Sequence, residues 1–171
     1  DTQYTFTMPY GKVTIAAGFV EAQTENVLPF GDVDVGDWYY DAVAYAYGNG
    51  LMRGVGADVF APNNTLNRAM MVQVLWNLEG TPAGGSTPVY TDVRSSAWYY
   101  SAVQWAAGAG LVVGHGNGTF GPGEPITREQ MALMLYNYAQ HKGCDTNTAG
   151  SLSTFTDADA VSEGAEDAVR W

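Results

Sequence analysis

Cysteine and basic residues are both scarce in this chain of 171 residues. The single cysteine, Cys144, has no second thiol with which to form an internal disulfide, and it reads as a tolerated linker residue. Seven lysines and arginines stand against eighteen acidic residues, which gives a formal net charge of −11. The chain therefore lacks the basic footprint that nucleic acid or an anionic lipid surface requires. No apolar run approaches the length of a membrane span, so we predict neither nucleic-acid binding nor membrane insertion.

Groups of residues that would perform catalysis or hold a metal ion are also missing. No pair of acidic residues recurs at the spacing of a glycosidase dyad, and neither of the two histidines has a matching histidine in the other repeat. The run from Asp32 to Asp37 resembles a calcium loop, but its later copy, residues 92–97, keeps only the first ligand. We therefore predict a non-catalytic protein with no metal and no cofactor. The acidic and histidine side chains without such a partner are Glu124, Glu129, Glu163, Glu166, His115 and His141.

What the chain does contain is an internal repeat. Shifting the sequence by sixty positions superimposes many identical residues, and a third copy opens at Phe155 and runs to Trp171. A register held without gaps indicates one supersecondary unit per copy, and such units bury their apolar faces against one another. The residues of the first copy that recur are Asp32-Val33, Trp38-Tyr39-Tyr40, Ala42-Val43, Gly50-Leu51, Gly54, Gly56, Phe60, Pro62, Arg68, Met71, Leu75 and Asn77.

Changes in composition divide the chain into six segments. Residues 1–29 contain two β-branched and aromatic alternations around a Pro-Tyr-Gly-Lys turn, which predict a β-hairpin followed by a linker. Residues 30–80 form the first repeat and residues 90–142 the second, joined by the Gly- and Pro-rich connector 81–89. A second connector, residues 143–154, precedes the partial third repeat at residues 155–171.

Each full repeat is predicted to fold as a helix, a Gly-rich loop and a second helix. The first helices are expected at residues 38–47 and 98–107, with Gly48 and Gly50, or Gly108 and Gly110, closing them as left-handed caps. The second helices are expected to begin after the N-caps Asn67 and Thr127, and Gln130 completes a capping box in the second repeat only. An apolar stripe at helical spacing predicts the core face of the second helices. Its members are Met71, Val74, Leu75 and Leu78, then Met131, Met134, Leu135 and Tyr138.

Arg68 and Arg128 are the most informative of the few cations. Each stands at the first position of a second helix, where free amides and the helix dipole already favour an anion. A guanidinium at that position suits a carboxylate or a phosphate. The alternative is a structural salt bridge to Asp32, Asp92 or Asp157, and the residues alone leave both interpretations open.

The recurring tryptophans Trp38 and Trp98 suit a different role from the tyrosines beside them. Tyr39 and Tyr99 are predicted to lie in the core, whereas the two indoles could line a groove and stack on sugar rings.

The recurring Gly-x-Gly at residues 54–56 and 114–116 has no Lys-Ser/Thr pair after it. We interpret these glycines as a conformational requirement rather than as a phosphate loop.

The ordered residues Phe-x-Asp-Val, Trp-Tyr, Ala-Val, Gly-Leu, Gly-x-Gly, Phe-x-Pro and Ile-Thr-Arg-Glu-Gln resemble S-layer homology repeats. The resemblance covers residues 30–171, that is, two whole repeats and the opening of a third. It implies a mainly α fold, in which three repeats form a pseudo-threefold spindle around a central helix bundle, here with a truncated third repeat. It also implies a secreted module of the bacterial cell wall or S-layer that anchors its protein non-covalently in grooves between repeats. The implied partner is an anionic, often pyruvylated, secondary cell-wall polysaccharide or a peptidoglycan-linked polymer.

The resemblance also implies which residues contact the polymer. The family motif Thr-Arg-Ala-Glu falls on residues 67–70 and 127–130, where Met70 and Gln130 replace its glutamate. Together with the recurring aromatic and acidic residues, this predicts a polysaccharide-binding set. Its members are Asp32, Trp38, Arg68, Asp92, Trp98 and Arg128.

Two other functions remain open at this point. The first is an architectural module that self-associates, for example through its incomplete third repeat, or forms a lattice; it would associate in solution without affinity for cell-wall fractions. The second is the anchor of a larger extracellular enzyme whose catalytic domain lies upstream. In that case the present residues would be inert by themselves.

Overall fold

The computed structural model describes residues 28–84, 90–147 and 150–171. These residues are mainly helical, as predicted, and no strand is found among them. The predicted N-terminal β-hairpin lies outside the described residues and stays a prediction. The elements are α1 (Tyr40–Gly48), α2 (Arg68–Leu78), α3 (Tyr100–Gly108), α4 (Arg128–His141) and α5 (Glu166–Arg170), with short 3-10 helices at Ala158–Ala160 and Glu163–Ala165.

The second helix of each repeat begins where the sequence predicts. The side chain of Asn67 accepts a hydrogen bond from the amide of Met70 at 2.8 Å, without a capping box. Thr127 and Gln130 form the predicted capping box, with both hydrogen bonds at 3.2 Å. The first helices begin two residues later than predicted, at Tyr40 and Tyr100, because a hydrogen-bonded turn precedes each of them.

The first helices end in two of the four predicted glycine caps, Gly50 and Gly110, whereas Gly48 and Gly108 are the last residues of the helices themselves. Gly50 and Gly110 have φ angles of 69° and 72°, a left-handed conformation that glycine adopts without a steric penalty. In each cap, the amide of the following leucine donates a hydrogen bond to the carbonyl of Ala46 or Ala106, five residues earlier. This is the hydrogen bond of a Schellman motif that spans more residues. The chain is thereby turned into the Gly-rich loop at the same point in both repeats.

Helix packing in this protein runs between repeats rather than within them. Among the described helices, α2 of the first repeat packs against α3 of the second, and α4 packs against α5 of the third. One large apolar cluster therefore joins α2, α3 and the second-repeat loop. A smaller cluster around Phe30 and Val43 lies under α1. None of the described helices is long and apolar enough to cross a membrane.

The predicted core stripe of the second helices is partly wrong. Met71, Leu75 and Met134 are buried as expected, but Leu78 and Leu135 are exposed. The buried face of α2 is instead rotated toward α3, so that Val72 is completely enclosed. Periodicity alone identifies an apolar face but does not say which side of it a neighbouring repeat will cover.

Candidate functional site

The recurring aspartates close the loops of their own repeats. The two carboxylate oxygens of Asp32 accept hydrogen bonds from the amides of Phe60 and Ala61 at 2.8 and 2.7 Å. Those of Asp92 accept from Phe120 and Gly121, both at 2.8 Å. The bond from the Phe60 amide lowers the pKa of Asp32, and at Asp92 two such bonds lower the pKa against the opposing effect of burial. These hydrogen bonds join residues 28 and 29 positions apart, so each aspartate holds the start of its repeat to the far end of the loop.

Gly54 and Gly114 let the loop of each repeat approach the first residue of that repeat closely. A Cβ at Gly54 would lie 2.8 Å from the Phe30 ring and 2.5 Å from the carbonyl oxygen of Val59. A Cβ at Gly114 would collide in the same way with Tyr90 and the carbonyl oxygen of Thr119. The first glycine of each Gly-x-Gly pattern therefore allows a close backbone approach, which supports the conformational interpretation at that position.

Arg68 joins the first repeat to the second. Its side chain is only 6% exposed, and its Nε and Nη2 donate to the carbonyls of Phe120 and Val113 at 2.9 and 3.0 Å. The guanidinium carbon lies 4.7 Å from the centre of the Phe120 ring, a cation–π contact. Burial lowers the pKa of Arg68, but a guanidinium still keeps its charge.

The N-terminus of α2 is also occupied by the second repeat. The amides of Arg68 and Ala69 donate to the carbonyls of Glu124 and Pro122 at 3.0 and 3.1 Å. These two helix amides, which by their position in the sequence would favour an anion, are therefore already paired with carbonyl oxygens of the second repeat. The alternative salt bridge from Arg68 to an aspartate is absent from the described residues, in which its partners are backbone carbonyls.

Arg128 lies in a different environment, although its sequence context is the same. It is exposed, and no ion pair of Arg128 is found in the described part of the chain. The residue after it, Glu129, accepts hydrogen bonds at 3.0 Å from the amide and hydroxyl of Ser162 in the third repeat. Of the two predicted arginines, only Arg128 therefore presents its side chain to solvent.

A groove of about 640 Å³ runs between α2, the loop of the first repeat and Trp98. Trp98 is 60% exposed at this groove, whereas Trp38 is 93% exposed and lies outside it. The groove also contains a cation that sequence reasoning missed, Arg53, which is exposed. The counterpart of Arg53 in the second repeat is Val113, so a search for residues that recur in both repeats does not find Arg53. The other residues along the groove include Leu51, Met52, Phe60, Met70, Gln73, Val74 and Asn77.

The comparison with protein families agrees with this repeat architecture. The model of the S-layer homology domain matches residues 29–70 and 89–132, just over half of the chain. The chain belongs to the S-layer homology family. An S-layer homology domain is a non-catalytic module that anchors proteins at the cell surface, and the repeats described above form such a module.

Relatives of this S-layer homology module include both enzymes and surface-layer proteins. An endoglucanase of Bacillus sp. (strain KSM-635) is 29% identical over 92% of this chain. The surface-layer 125 kDa protein of Lysinibacillus sphaericus is 31% identical over 71% of it, and the cellulosome-anchoring protein of Acetivibrio thermocellus 26% over 54%. The chain spans only 17%, 11% and 22% of the lengths of these three relatives.

The groove of this S-layer homology module combines three kinds of chemistry. An indole can stack on the apolar face of a sugar ring, a guanidinium can bind a carboxylate in bidentate fashion, and amide side chains can exchange hydrogen bonds with hydroxyls. Trp98, Arg53 and Asn77 bring these groups to one groove. The Asn77 amide also donates to the carbonyl of Leu51 at 2.9 Å, which fixes the loop against α2.

Proposed function

We propose that this module attaches its parent protein to the bacterial cell wall by binding an anionic secondary cell-wall polysaccharide. The observation that carries the proposal is that Arg53 and Trp98 line the same groove. A chain with a net charge of −11 repels an anionic polymer unless a cation stands where the polymer binds. A sugar that carries a carboxylate, such as a pyruvate ketal, suits a guanidinium beside an indole.

Within this proposal, the predicted site residues take different roles. Trp98 and the newly identified Arg53 contact the glycan, and the exposed Arg128 offers a further positive contact. Arg68 acts through the fold, because its guanidinium is already bound to the second repeat. Asp32 and Asp92 also act through the fold, since each of their oxygens accepts an amide hydrogen bond. Trp38 lies outside the groove, so we do not expect it to contribute to binding in this groove.

Co-sedimentation with purified wall sacculi, before and after removal of the non-peptidoglycan polymer, tests this proposal. We expect Arg53→Ala and Trp98→Ala to weaken binding about tenfold each, the loss of one charge-assisted or one stacking contact. The matched controls are Arg94→Ala and Trp38→Ala, which remove the same exposed groups outside the groove. Binding that survives both groove variants, or that falls equally in the controls, would refute this site.

We further propose that the module serves a larger extracellular protein. The support is that it spans a small share of each relative and that these include an endoglucanase and a surface-layer protein. Fusing the chain to a fluorescent protein and measuring its retention on whole bacterial cells tests this role. Retention should be lost when the wall polymer is removed, and a fusion that washes off intact cells would contradict it.

A further inference from the structure

The chain contains two Asn-Gly steps, Asn49-Gly50 and Asn117-Gly118. Asn-Gly is the dipeptide most prone to spontaneous deamidation, because glycine has no side chain to shield its amide nitrogen. In this reaction the glycine nitrogen attacks Cγ of the asparagine, and a cyclic succinimide forms as ammonia leaves. Both asparagines are exposed, and both glycines have a left-handed φ, 69° at Gly50 and 85° at Gly118. Exposure and glycine conformation therefore do not distinguish the two steps.

Hydrogen bonds protect the first step, which lies at the end of α1. The Nδ2 atom of Asn49 donates to the carbonyl of Tyr45 at 2.8 Å, so the side chain is directed back along the helix. The Gly50 amide, which would be the nucleophile, donates to the carbonyl of Tyr47 at 3.0 Å. The leaving group and the nucleophile are therefore both held in other contacts, which must break before attack.

The second step, in the loop of the second repeat, has the opposite arrangement. Oδ1 of Asn117 accepts hydrogen bonds from the amide of Thr119 at 3.0 Å and from its hydroxyl at 2.6 Å. These donors face the oxygen that becomes negatively charged during attack, as in an oxyanion hole. In the described part of the chain, no hydrogen bond is found from Nδ2 of Asn117 or from the Gly118 amide. Nucleophile and leaving group are thus free, and the carbonyl between them is polarised.

We propose that Asn117 is a modification site, at which the native fold promotes spontaneous deamidation. The Gly118 nitrogen forms a bond to Cγ of Asn117 and loses its proton to hydroxide, while the bond from Cγ to Nδ2 breaks and ammonia leaves. Water then opens the succinimide. Cleavage between the Gly118 nitrogen and Cγ gives aspartate, whereas cleavage at the backbone carbonyl carbon gives isoaspartate, in which the main chain runs through the former side chain.

Isoaspartate at this position would loosen the second repeat. The Gly118 carbonyl accepts from the amide and the hydroxyl of Thr91 at 2.9 and 3.2 Å, which ties the start of the repeat to its loop. Isoaspartate adds a carbon to the main chain just before this carbonyl and so displaces it from Thr91. In the first repeat the same tie runs from Gly31 to Asp58 at 2.8 Å, but Ala57 stands in place of the asparagine. Only the second-repeat tie is therefore open to this reaction.

Peptide mapping by mass spectrometry tests the proposal on the whole chain, incubated in mildly alkaline buffer with and without urea. In the native chain Asn117 should react about tenfold or more faster than Asn49, because each of the two hydrogen bonds at the Asn49 step slows attack by about fivefold. Urea removes these bonds and should bring the two rates together. Equal rates in the native chain, or a ratio that urea leaves unchanged, would overturn the proposal.

Three variants separate the roles of the groups at the site. Thr119→Val removes the hydroxyl donor and should slow the reaction of Asn117 by about fivefold without changing that of Asn49; an equal or faster reaction overturns the proposal. After prolonged incubation the parent chain should unfold at a lower temperature than fresh chain. Asn117→Gln should keep its midpoint, because glutamine cyclises far more slowly, whereas Asn49→Gln should lose as much as the parent. A loss in Asn117→Gln equal to that of the parent would show that the damage arises elsewhere.

Discussion

Replacing Arg68 by alanine should destabilise the protein far more than replacing Arg128, although the two arginines occupy equivalent places in the repeat. The Arg68 guanidinium makes two hydrogen bonds to the second repeat, at 2.9 and 3.0 Å, and lies over the Phe120 ring. Without it, the carbonyls of Phe120 and Val113 lose a charged donor. Arg128 is exposed, so its replacement removes no comparable contact.

The expected cost follows from these contacts. Each hydrogen bond from a charged donor contributes about 1.5–3 kcal/mol, and a partly desolvated cation–π contact about 1–2 kcal/mol. The contributions overlap, and alanine also relieves the desolvation of the guanidinium, so we expect a net loss of about 3–5 kcal/mol. In a chain of this size 1 kcal/mol shifts Tm by about 2–4 °C, so the midpoint should fall by roughly 6–20 °C.

Urea unfolding followed by far-UV circular dichroism measures this difference. Arg68→Lys keeps the charge but not the forked geometry, and it should recover only part of the loss. Arg128→Ala should stay within about 0.5 kcal/mol of the parent chain. If the repeats uncouple, the Arg68→Ala transition should also broaden, because adjacent repeats stabilise one another through their interfaces. Equal losses for Arg68→Ala and Arg128→Ala would refute the interface role of Arg68.

Three further predictions concern the repeat loops and the hydrogen bond from Tyr138 of α4 to Glu79, the residue that follows α2. The free energy of unfolding should fall as the pH drops below 3.8, the pKa of an unfolded aspartate, because the pKa of Asp32 and Asp92 is lowered only in the folded chain. Urea titrations at a series of pH values measure this fall. Asp92→Asn should make the stability less dependent on pH. Burial and the 2.8 Å hydrogen bond to Glu79 raise the pKa of Tyr138 to about 12, so stability should fall between pH 10 and 12. Tyr138→Phe should remove this alkaline component and cost about 1 kcal/mol at neutral pH, and an unchanged alkaline profile would contradict the assignment. Ala61 has a φ of 61°, a left-handed conformation that is strained for alanine, and its second-repeat counterpart is Gly121. Ala61→Gly should therefore stabilise the chain by about 0.5–1 kcal/mol, measured by thermal unfolding. A destabilised variant would disprove strain at this position.

The local structure of each repeat could be predicted from the residues themselves. Asn67, Thr127 and Gln130 mark the starts of α2 and α4, because a side-chain cap depends on residues three positions apart. Gly50 and Gly110 mark the ends of α1 and α3, because the left-handed conformation is a property of one residue. The extra turn before Tyr40 was missed, since aromatic residues favour neither a turn nor a helix strongly enough to decide the boundary.

The candidate site could be predicted only in part. Trp98 was found because it recurs, and it does line the groove. Arg53, which lines the same groove, was missed because a repeat search rewards identity between copies, and the residue at its place in the second repeat is Val113. Arg68 was found, but its partners are carbonyls 45 and 52 residues away, which no local pattern specifies.

By itself, the sequence determined the repeat, its helix-loop-helix form, its caps and the family, because all of these follow from residue types at short and regular spacings. Only the tertiary structure decided what equivalent residues do. Arg68 is enclosed and Arg128 exposed, and Trp105 is buried where Tyr45 is not, because burial depends on which neighbouring repeat packs alongside. In a repeat protein the unit is encoded locally, whereas each copy acquires its role from the interface in which it lies.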